Sequence, residues 1–261
     1  VVLTAVGIVL AALGAAAAAI YLRQEALIFG PVQLPPDYVF DFPDVVETEV
    51  VVDGAVLSAL HLRLPDPKGV VFYLHGNSGN LANWFVDLSL YRRANFDLFM
   101  LDYRGYGKST GRIRSEAQLR ADVAAAWRQL APLYQGRRTV IFGRSLGTAL
   151  AAGLAVQTRP DLTILVSPFW SLTELARLHL PVAPAGLLRY RLETHRDLAH
   201  VEGPVLLVHG GRDVLIPFSH SVRLQAVARS ARLVEIAEAA HNDLQDFAAY
   251  RGAIAEHLAR L

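Results

Sequence analysis

The chain has 261 residues, which is enough to bury one large α/β core within a single domain. Its formal net charge is +1, which gives no electrostatic support for nucleic-acid binding. It contains no cysteine, and this excludes disulfides, a thiol nucleophile and thiolate metal sites. Hydrophobic residues make up 53% of the chain, and many of them are concentrated at its N-terminus.

The N-terminal segment, residues 1–22, carries no charge, and a helix of this length can cross a hydrocarbon layer of about 30 Å. Arg23 ends the segment, and Tyr21 stands where an interfacial aromatic residue is expected. The segment therefore predicts an uncleaved single-pass anchor in a membrane, expected to be a bacterial inner membrane. A cleaved signal peptide is the alternative, with a cleavage site in Ala15–Ala19, and a buried core helix is the third.

Residues 23–44 are predicted to form an extended connector, because Pro31, Pro35 and Pro36 disfavour both helix and central strand. The α/β domain is predicted to follow over residues 45–261. Its predicted strands are Val45–Val52, Ala55–Arg63, Gly69–Leu74, Phe96–Leu101, a strand ending at the nucleophile motif, Leu162–Val166, Val205–His209 and Ala231–Ile236. Asp53-Gly54 between the first two predicts a hairpin turn.

Helical patterns separate these strands. They run from Asn80 to about Ala94, from Ser115 (a predicted N-cap) to Leu133, from the nucleophile motif to about Thr158, and over Phe218–Arg229 and Asp246–Ala259. This alternation predicts a mostly parallel central sheet with helices on both faces. Residues 168–200 do not fit it and are predicted to form a short helical lid, which includes Pro181 and Pro184, over the carboxyl edge of the sheet.

The motif Gly143-Arg144-Ser145-Leu146-Gly147 lies between a buried strand and an Ala-rich helical run. This context is typical of a nucleophile elbow, in which a strained turn presents the serine hydroxyl at the sheet edge. A Cβ at Gly143 or Gly147 is expected to collide with the neighbouring strand or helix. The motif predicts Ser145 as a nucleophile.

An acid and a base follow two later strands. Asp213 comes just after Val205–His209, and His241 lies on the loop between the last strand and the final helix. The order Ser145, Asp213, His241 is the order in which this architecture places its catalytic triad. Asp102, which follows an earlier strand, is the alternative acid, although holding the turn after it is the more ordinary role.

An oxyanion would need two backbone N–H donors, and these are predicted at Leu146 and Asn77. Four further residues are predicted to contact the substrate: His75, Arg144, Trp170 and His179. A surface arginine is the alternative for Arg144. No metal site is predicted, because His75 has no second ligand at metal-binding spacing. The other histidines are expected to be structural (His209) or solvated (His195, His200 and His220).

These residues resemble the α/β-hydrolase superfamily and, within it, the membrane-anchored serine hydrolases of the bud-emergence type, relatives of acyl-protein thioesterases. The resemblance is carried by Gln24–Phe29, Leu74–Asn77, Asp102–Ser109, Gly143–Gly147, His209–Asp213 and His241–Asp243. It implies hydrolysis of an ester or thioester through an acyl-enzyme, without a cofactor. The chain departs from the eukaryotic depalmitoylases in lacking a cysteine-rich N-terminus, which makes depalmitoylation less expected.

The function predicted from the residues and the resemblance is hydrolysis of carboxylic esters, with a small or lipid-like acyl ester as substrate and with the N-terminal helix as the contact to a membrane. An acyl-protein or acyl-CoA thioesterase is the alternative with the same triad. A catalytically silent, membrane-tethered binding protein is the alternative of another class, and the intact set Ser145, Asp213 and His241 argues against it.

Overall fold

The structure, a computed structural model, describes residues 2–180 and 185–261. Its strands are β1 (Gly30–Pro31), β2 (Val45–Val52), β3 (Ala55–Leu62), β4 (Gly69–Leu74), β5 (Ser78–Gly79), β6 (Phe96–Leu101), β7 (Arg138–Arg144), β8 (Leu162–Val166), β9 (Val205–Gly210) and β10 (Ala231–Ile236). Eight of them form one sheet in the order β10-β9-β8-β7-β4-β6-β3-β2. From β10 to β6 the neighbours are parallel, and β3 and β2 complete the sheet as an antiparallel hairpin.

The helices connect these strands. They are α1 (Val2–Leu22), α2 (Gln24–Ile28), α3 (Leu81–Trp84), α4 (Leu88–Ala94), α5 (Glu116–Leu130), α6 (Gly147–Thr158), α7 (Leu172–His179), α8 (Thr194–Leu198), α9 (Ser219–Val227) and α10 (Ala248–Ala259). The predicted N-cap is confirmed, since the Ser115 hydroxyl accepts a hydrogen bond from the Gln118 N–H at 3.1 Å. Pro181 and Pro184 of the predicted lid lie outside the described residues.

The central strands are buried on both faces of the sheet. Along β4, Phe72 and Leu74 belong to one apolar cluster, and Val71 and Tyr73 belong to another. Helices α5 and α6 contribute to the first cluster, and α4 and α10 contribute to the second. Because successive strand residues point to opposite faces, this division confirms the predicted arrangement of helices on both sides of the sheet.

The predicted helix between Asn80 and Ala94 is wrong in one respect, because it is two helices, α3 and α4. Asp87 between them has φ +55°, a left-handed conformation that interrupts a right-handed helix. The predicted extended connector is also wrong over its first residues. Gln24–Ile28 forms α2, and the first proline of the connector, Pro31, comes only after that helix has ended.

The predictions of a transmembrane anchor and of a membrane location are wrong. In the described ranges no helix is both long enough and apolar enough to cross a membrane. The end of α1 instead contacts the α/β domain: Ile20 lines a cavity there, and the Tyr21 ring lies 5.1 Å from the Arg189 guanidinium. Tyr21 therefore packs against protein. The division of the chain at residues 22 and 44 stays a prediction.

Candidate active site

The turn between β7 and α6 holds Ser145 in a strained conformation, with φ +51°. Two residues before and two residues after the serine, the backbone lies too close to neighbouring backbone to leave room for a side chain. A Cβ at Gly143 would lie 2.5 Å from the Gly147 carbonyl oxygen, and a Cβ at Gly147 would lie 2.1 Å from the Leu74 carbonyl oxygen. The predicted need for glycine at both positions is confirmed.

Gly147→Ala should destabilise the fold by about 3 kcal/mol or more, because the new methyl group would meet backbone that cannot move aside cheaply. Gly252→Ala is the matched control, since Gly252 lies in α10 and a Cβ added there would have no atom within 4 Å. That change should stabilise the protein by about 0.5–1 kcal/mol. Urea unfolding measures both, and equal free energies of unfolding would contradict the close approach at Gly147.

The structure brings the three predicted residues together at the carboxyl edge of the sheet. His241 Nδ1 lies 2.7 Å from Asp213 Oδ2, and His241 Nε2 lies 3.1 Å from Ser145 Oγ. A carboxylate only accepts hydrogen bonds, so Nδ1 carries the proton and the Nε2 lone pair faces the serine hydroxyl. A histidine in this tautomer can take the proton of Ser145.

Both oxygens of the Asp213 carboxylate accept hydrogen bonds. Its Oδ1 accepts the N–H groups of Leu215 and Ile216 at 3.0 and 2.8 Å. Burial acts to raise the pKa of Asp213, but hydrogen bonds from His209, His241 and the Ile216 N–H outweigh it and hold the pKa well below its usual range. The group is therefore ionised at neutral pH and can hold His241 in its orientation.

This depressed pKa predicts a pH-dependent stability. The contribution of Asp213 is fully present above the pKa of an unfolded aspartate, about 3.9, and is lost as the pH falls toward the lower folded-state pKa. The difference in unfolding free energy between the wild type and Asp213→Asn should shrink by about 1 kcal/mol between about pH 5 and about pH 3. Urea titrations at both pH values test this, and a constant difference would contradict it.

His209 belongs to the site, although the sequence did not indicate this. It is fully buried, and its Nε2 lies 2.7 Å from the Ile216 carbonyl oxygen and 3.3 Å from Asp213 Oδ2. The carbonyl can only accept, so Nε2 carries the proton, while Nδ1 is 2.6 Å from the Ser221 hydroxyl. His209 thus supports the same carboxylate oxygen that holds His241, and its only sequence signal is its position four residues before Asp213.

Asn77 and Leu146 both lie at the edge of the cavity beside Ser145. Within the described residues, neither backbone N–H donates to a protein group. The Asn77 loop is held by its carbonyl oxygen, which accepts the Tyr106 hydroxyl and the Gly30 N–H, both at 2.6 Å. Two such amide donors next to a serine hydroxyl form the kind of arrangement that binds an oxyanion.

His75 and Asp102 lie behind this loop. His75 is fully buried, and its Nδ1 donates to the Gly76 carbonyl oxygen at 2.8 Å, a hydrogen bond inside the loop. Asp102 is fully buried too, and it accepts the Leu81 N–H at 3.0 Å. The substrate contact predicted for His75 is therefore corrected, since the ring has no exposed surface. The Asp102 side chain holds the first residue of α3, and the choice between Asp102 and Asp213 as the acid stays a prediction.

Arg144 and Trp170 are also placed outside the cavity wall. Arg144 is 8% exposed and donates to the His241 carbonyl oxygen at 3.3 Å, so it supports the loop of the base. Trp170 stacks on His195 at 4.4 Å. Their predicted substrate contacts are corrected, because neither side chain lines the cavity.

His220, which was expected to be solvated, is buried, and its Nδ1 accepts the Trp170 N–H at 3.0 Å. Burial lowers the pKa of His220.

An apolar cavity of about 250 Å³ opens beside Ser145. Helix α7 and the segment after it supply much of the lining, together with residues from α1 and α2. The apolar lining residues are Ile20, Leu27, Ile28, Leu146, Phe169, Leu172, Leu175, Ala176, Leu180, Leu187, Leu188, Leu215 and Ile216. His179 also lines the cavity, and its Nε2 donates to the Leu215 carbonyl oxygen at 2.7 Å. The substrate contact predicted for His179 stays a prediction.

Several known proteins are similar to this chain. Residues 65–185 match the family described as Serine aminopeptidase, S33. An uncharacterised protein of Mycobacterium tuberculosis is 35% identical over 237 residues, covering 86% of this chain and 82% of its own length. Alpha/beta hydrolase domain-containing protein 17B of Xenopus tropicalis is 31% identical over 192 residues, or 71% of this chain and 65% of its own. An esterase of Pyrococcus furiosus has a TM-score of 0.70 at 18% identity, over 89% of this chain and 98% of that one.

Proposed function

Because the chain belongs to the α/β-hydrolase superfamily and has its fold, we propose that it is a serine hydrolase that cleaves carboxylic esters through an acyl-enzyme. One observation carries the proposal. The hydrogen-bonded series Ser145, His241 and Asp213 opens onto an apolar cavity with two amide donors at its edge. An acyl group fits such a cavity, and its carbonyl oxygen would meet the donors.

In the proposed reaction, His241 Nε2 takes the proton of Ser145 as Oγ bonds to the carbonyl carbon. The N–H groups of Leu146 and Asn77 stabilise the oxyanion of the tetrahedral intermediate. His241 then gives its proton to the leaving alkoxide, and the acyl group stays on Ser145. Water, deprotonated by His241, attacks the acyl-enzyme, and Oγ leaves with the proton restored.

An ester substrate suits the cavity better than the free amino terminus of a peptide. The amino terminus of a peptide is a cation at neutral pH, and an aminopeptidase has to hold it, most directly with a carboxylate. In the part of the chain that the structure describes, no aspartate or glutamate lines the cavity. The lining favours an uncharged acyl group over a charged peptide end.

Paired substrates with the same acyl group test the proposed function. The full chain is mixed with p-nitrophenyl butyrate and, separately, with butyryl thiocholine, and product is followed from the first milliseconds. A burst of p-nitrophenolate equal to the enzyme concentration, followed by steady turnover, is the expected result for an acyl-enzyme. Turnover of the thioester alone would favour a thioesterase. No turnover of either by folded protein would favour a silent binding protein.

A further inference from the structure

The last residues of α1 and the short helix α2 form one side of the cavity beside Ser145. Ile20, Gln24, Leu27 and Ile28 line it, and residues 20–28 are here called the N-terminal wall. These residues precede the predicted α/β domain, so part of the space next to the nucleophile is built by a segment outside it. The side chains of this wall that line the cavity are apolar apart from Gln24.

Gln24 fixes the wall to the lid segment that contains Leu187 and Leu188. It is 2% exposed, its Nε2 donates to the Leu187 carbonyl oxygen at 2.7 Å, and its Oε1 accepts the Arg189 N–H at 2.8 Å. A buried amide is tolerated where both its donor and its acceptor are satisfied, as here. The wall and the lid segment are therefore held at a set separation.

Two neighbouring contacts strengthen this attachment. The Glu25 carboxylate accepts both the Arg189 guanidinium and the Tyr190 hydroxyl at 2.7 Å. On its other side, the wall leads into β1, where the Gly30 N–H donates to the Asn77 carbonyl oxygen at 2.6 Å and Gly30 pairs with Ser78. The segment thus contacts both the lid and the loop that carries a predicted oxyanion donor.

The cavity has a definite size. Its volume of about 250 Å³ is many times the roughly 10–15 Å³ that a single water molecule needs, so the cavity can hold a chain of several carbons. The exposed residues of its lining include Arg177 and His179 but also Leu27 and Leu180, whereas Phe169 and Ile216 are buried. A lining that is mostly apolar suits an acyl chain whose carbonyl end stays at Ser145.

We propose that this cavity is an acyl pocket and that the N-terminal wall sets the length of chain it accepts. The inference rests on the proposed function, since it identifies the acyl group that Ser145 would carry. Each methylene buried in the pocket should raise kcat/KM about fourfold until the pocket is full. Beyond that length the chain meets the wall, and kcat/KM should stop rising.

A series of p-nitrophenyl esters from acetate to laurate, hydrolysed by the full chain, tests the length limit. Ile20→Trp adds volume at the wall, and Leu22→Trp is its matched control on the same helix, because Leu22 is 73% exposed and does not line the cavity. Ile20→Trp should lower the ratio of kcat/KM for the octanoate to kcat/KM for the acetate about tenfold or more. Leu22→Trp should reproduce the wild-type profile.

The outcomes separate the two proposals. An Ile20→Trp profile equal to that of the wild type, or a wild-type profile flat from butyrate to laurate, would overturn the acyl-pocket inference. Either result would leave ester hydrolysis at Ser145 standing, because the acetate would still be cleaved. Absence of turnover for every ester, the acetate included, would overturn the proposed function and this inference with it.

Discussion

Ser145→Ala is expected to lower kcat for ester hydrolysis by about 10⁴- to 10⁶-fold, because in the described part of the chain the Ser145 hydroxyl is the one that His241 Nε2 contacts. The residual rate would come from the oxyanion donors and the cavity alone. Steady-state kinetics with p-nitrophenyl butyrate measure the loss, and circular dichroism of the same sample shows whether the fold is kept. A variant that retains more than about a tenth of the wild-type kcat would contradict the assignment of Ser145 as nucleophile.

Ser145→Gly is the matched control for strain at this position. The wild-type residue has φ +51°, which a glycine adopts without cost while serine and alanine do not. The glycine variant should be as inactive as the alanine variant but more stable than the wild type by about 1 kcal/mol. A gain in stability together with a loss of turnover would indicate that the strain at Ser145 is kept for catalysis.

Asp213→Asn should lower kcat by about 10⁴-fold. An asparagine amide can donate to His241 Nδ1 and thereby favour the tautomer whose Nε2 carries a proton, which cannot accept the proton of Ser145. The variant is nearly isosteric, so the change acts on proton position more than on packing. Its kcat, measured with the same ester, is the readout.

Asp102→Asn distinguishes between the two carboxylates considered as the acid. The Asp102 side chain accepts the Leu81 N–H, and the oxygen of an asparagine can accept it equally well. We expect this variant to keep kcat within about tenfold of the wild type. A loss at Asp102→Asn comparable to the expected loss at Asp213→Asn would transfer the role of acid to Asp102.

The strands were predictable from the sequence both where they are buried throughout, as β6 and β8 are, and where they are partly exposed at the edge of the sheet, as β10 is. Phe96–Leu101, Leu162–Val166 and Ala231–Ile236 have the predicted bounds, as continuous apolar or β-rich runs between turn signals. The proximity of Ser145, Asp213 and His241 was predictable as well, since parallel strands deliver the loops at their carboxyl ends to one edge. Their catalytic role stays a proposal.

What the sequence did not reveal depends on contacts between distant segments. Gln24 reads as a polar residue before a proline-rich stretch, yet its partners are 163 and 165 residues away. Arg144 is predicted to contact substrate, with a surface arginine as the alternative, whereas its buried side chain donates to the His241 carbonyl oxygen. Local patterns carry no information about such pairs, so the cavity wall and the supports of the triad became visible only in the fold.

The most direct measurement is to label the full wild-type chain with a fluorophosphonate and locate the adduct by peptide mass spectrometry. Such reagents phosphonylate a serine that a neighbouring base activates, and the oxyanion donors stabilise the adduct. We predict one adduct, on Ser145, which is absent from Ser145→Ala and formed much more slowly in Asp213→Asn. An unlabelled but folded wild-type protein, or an adduct on another residue, would contradict a serine hydrolase site at Ser145.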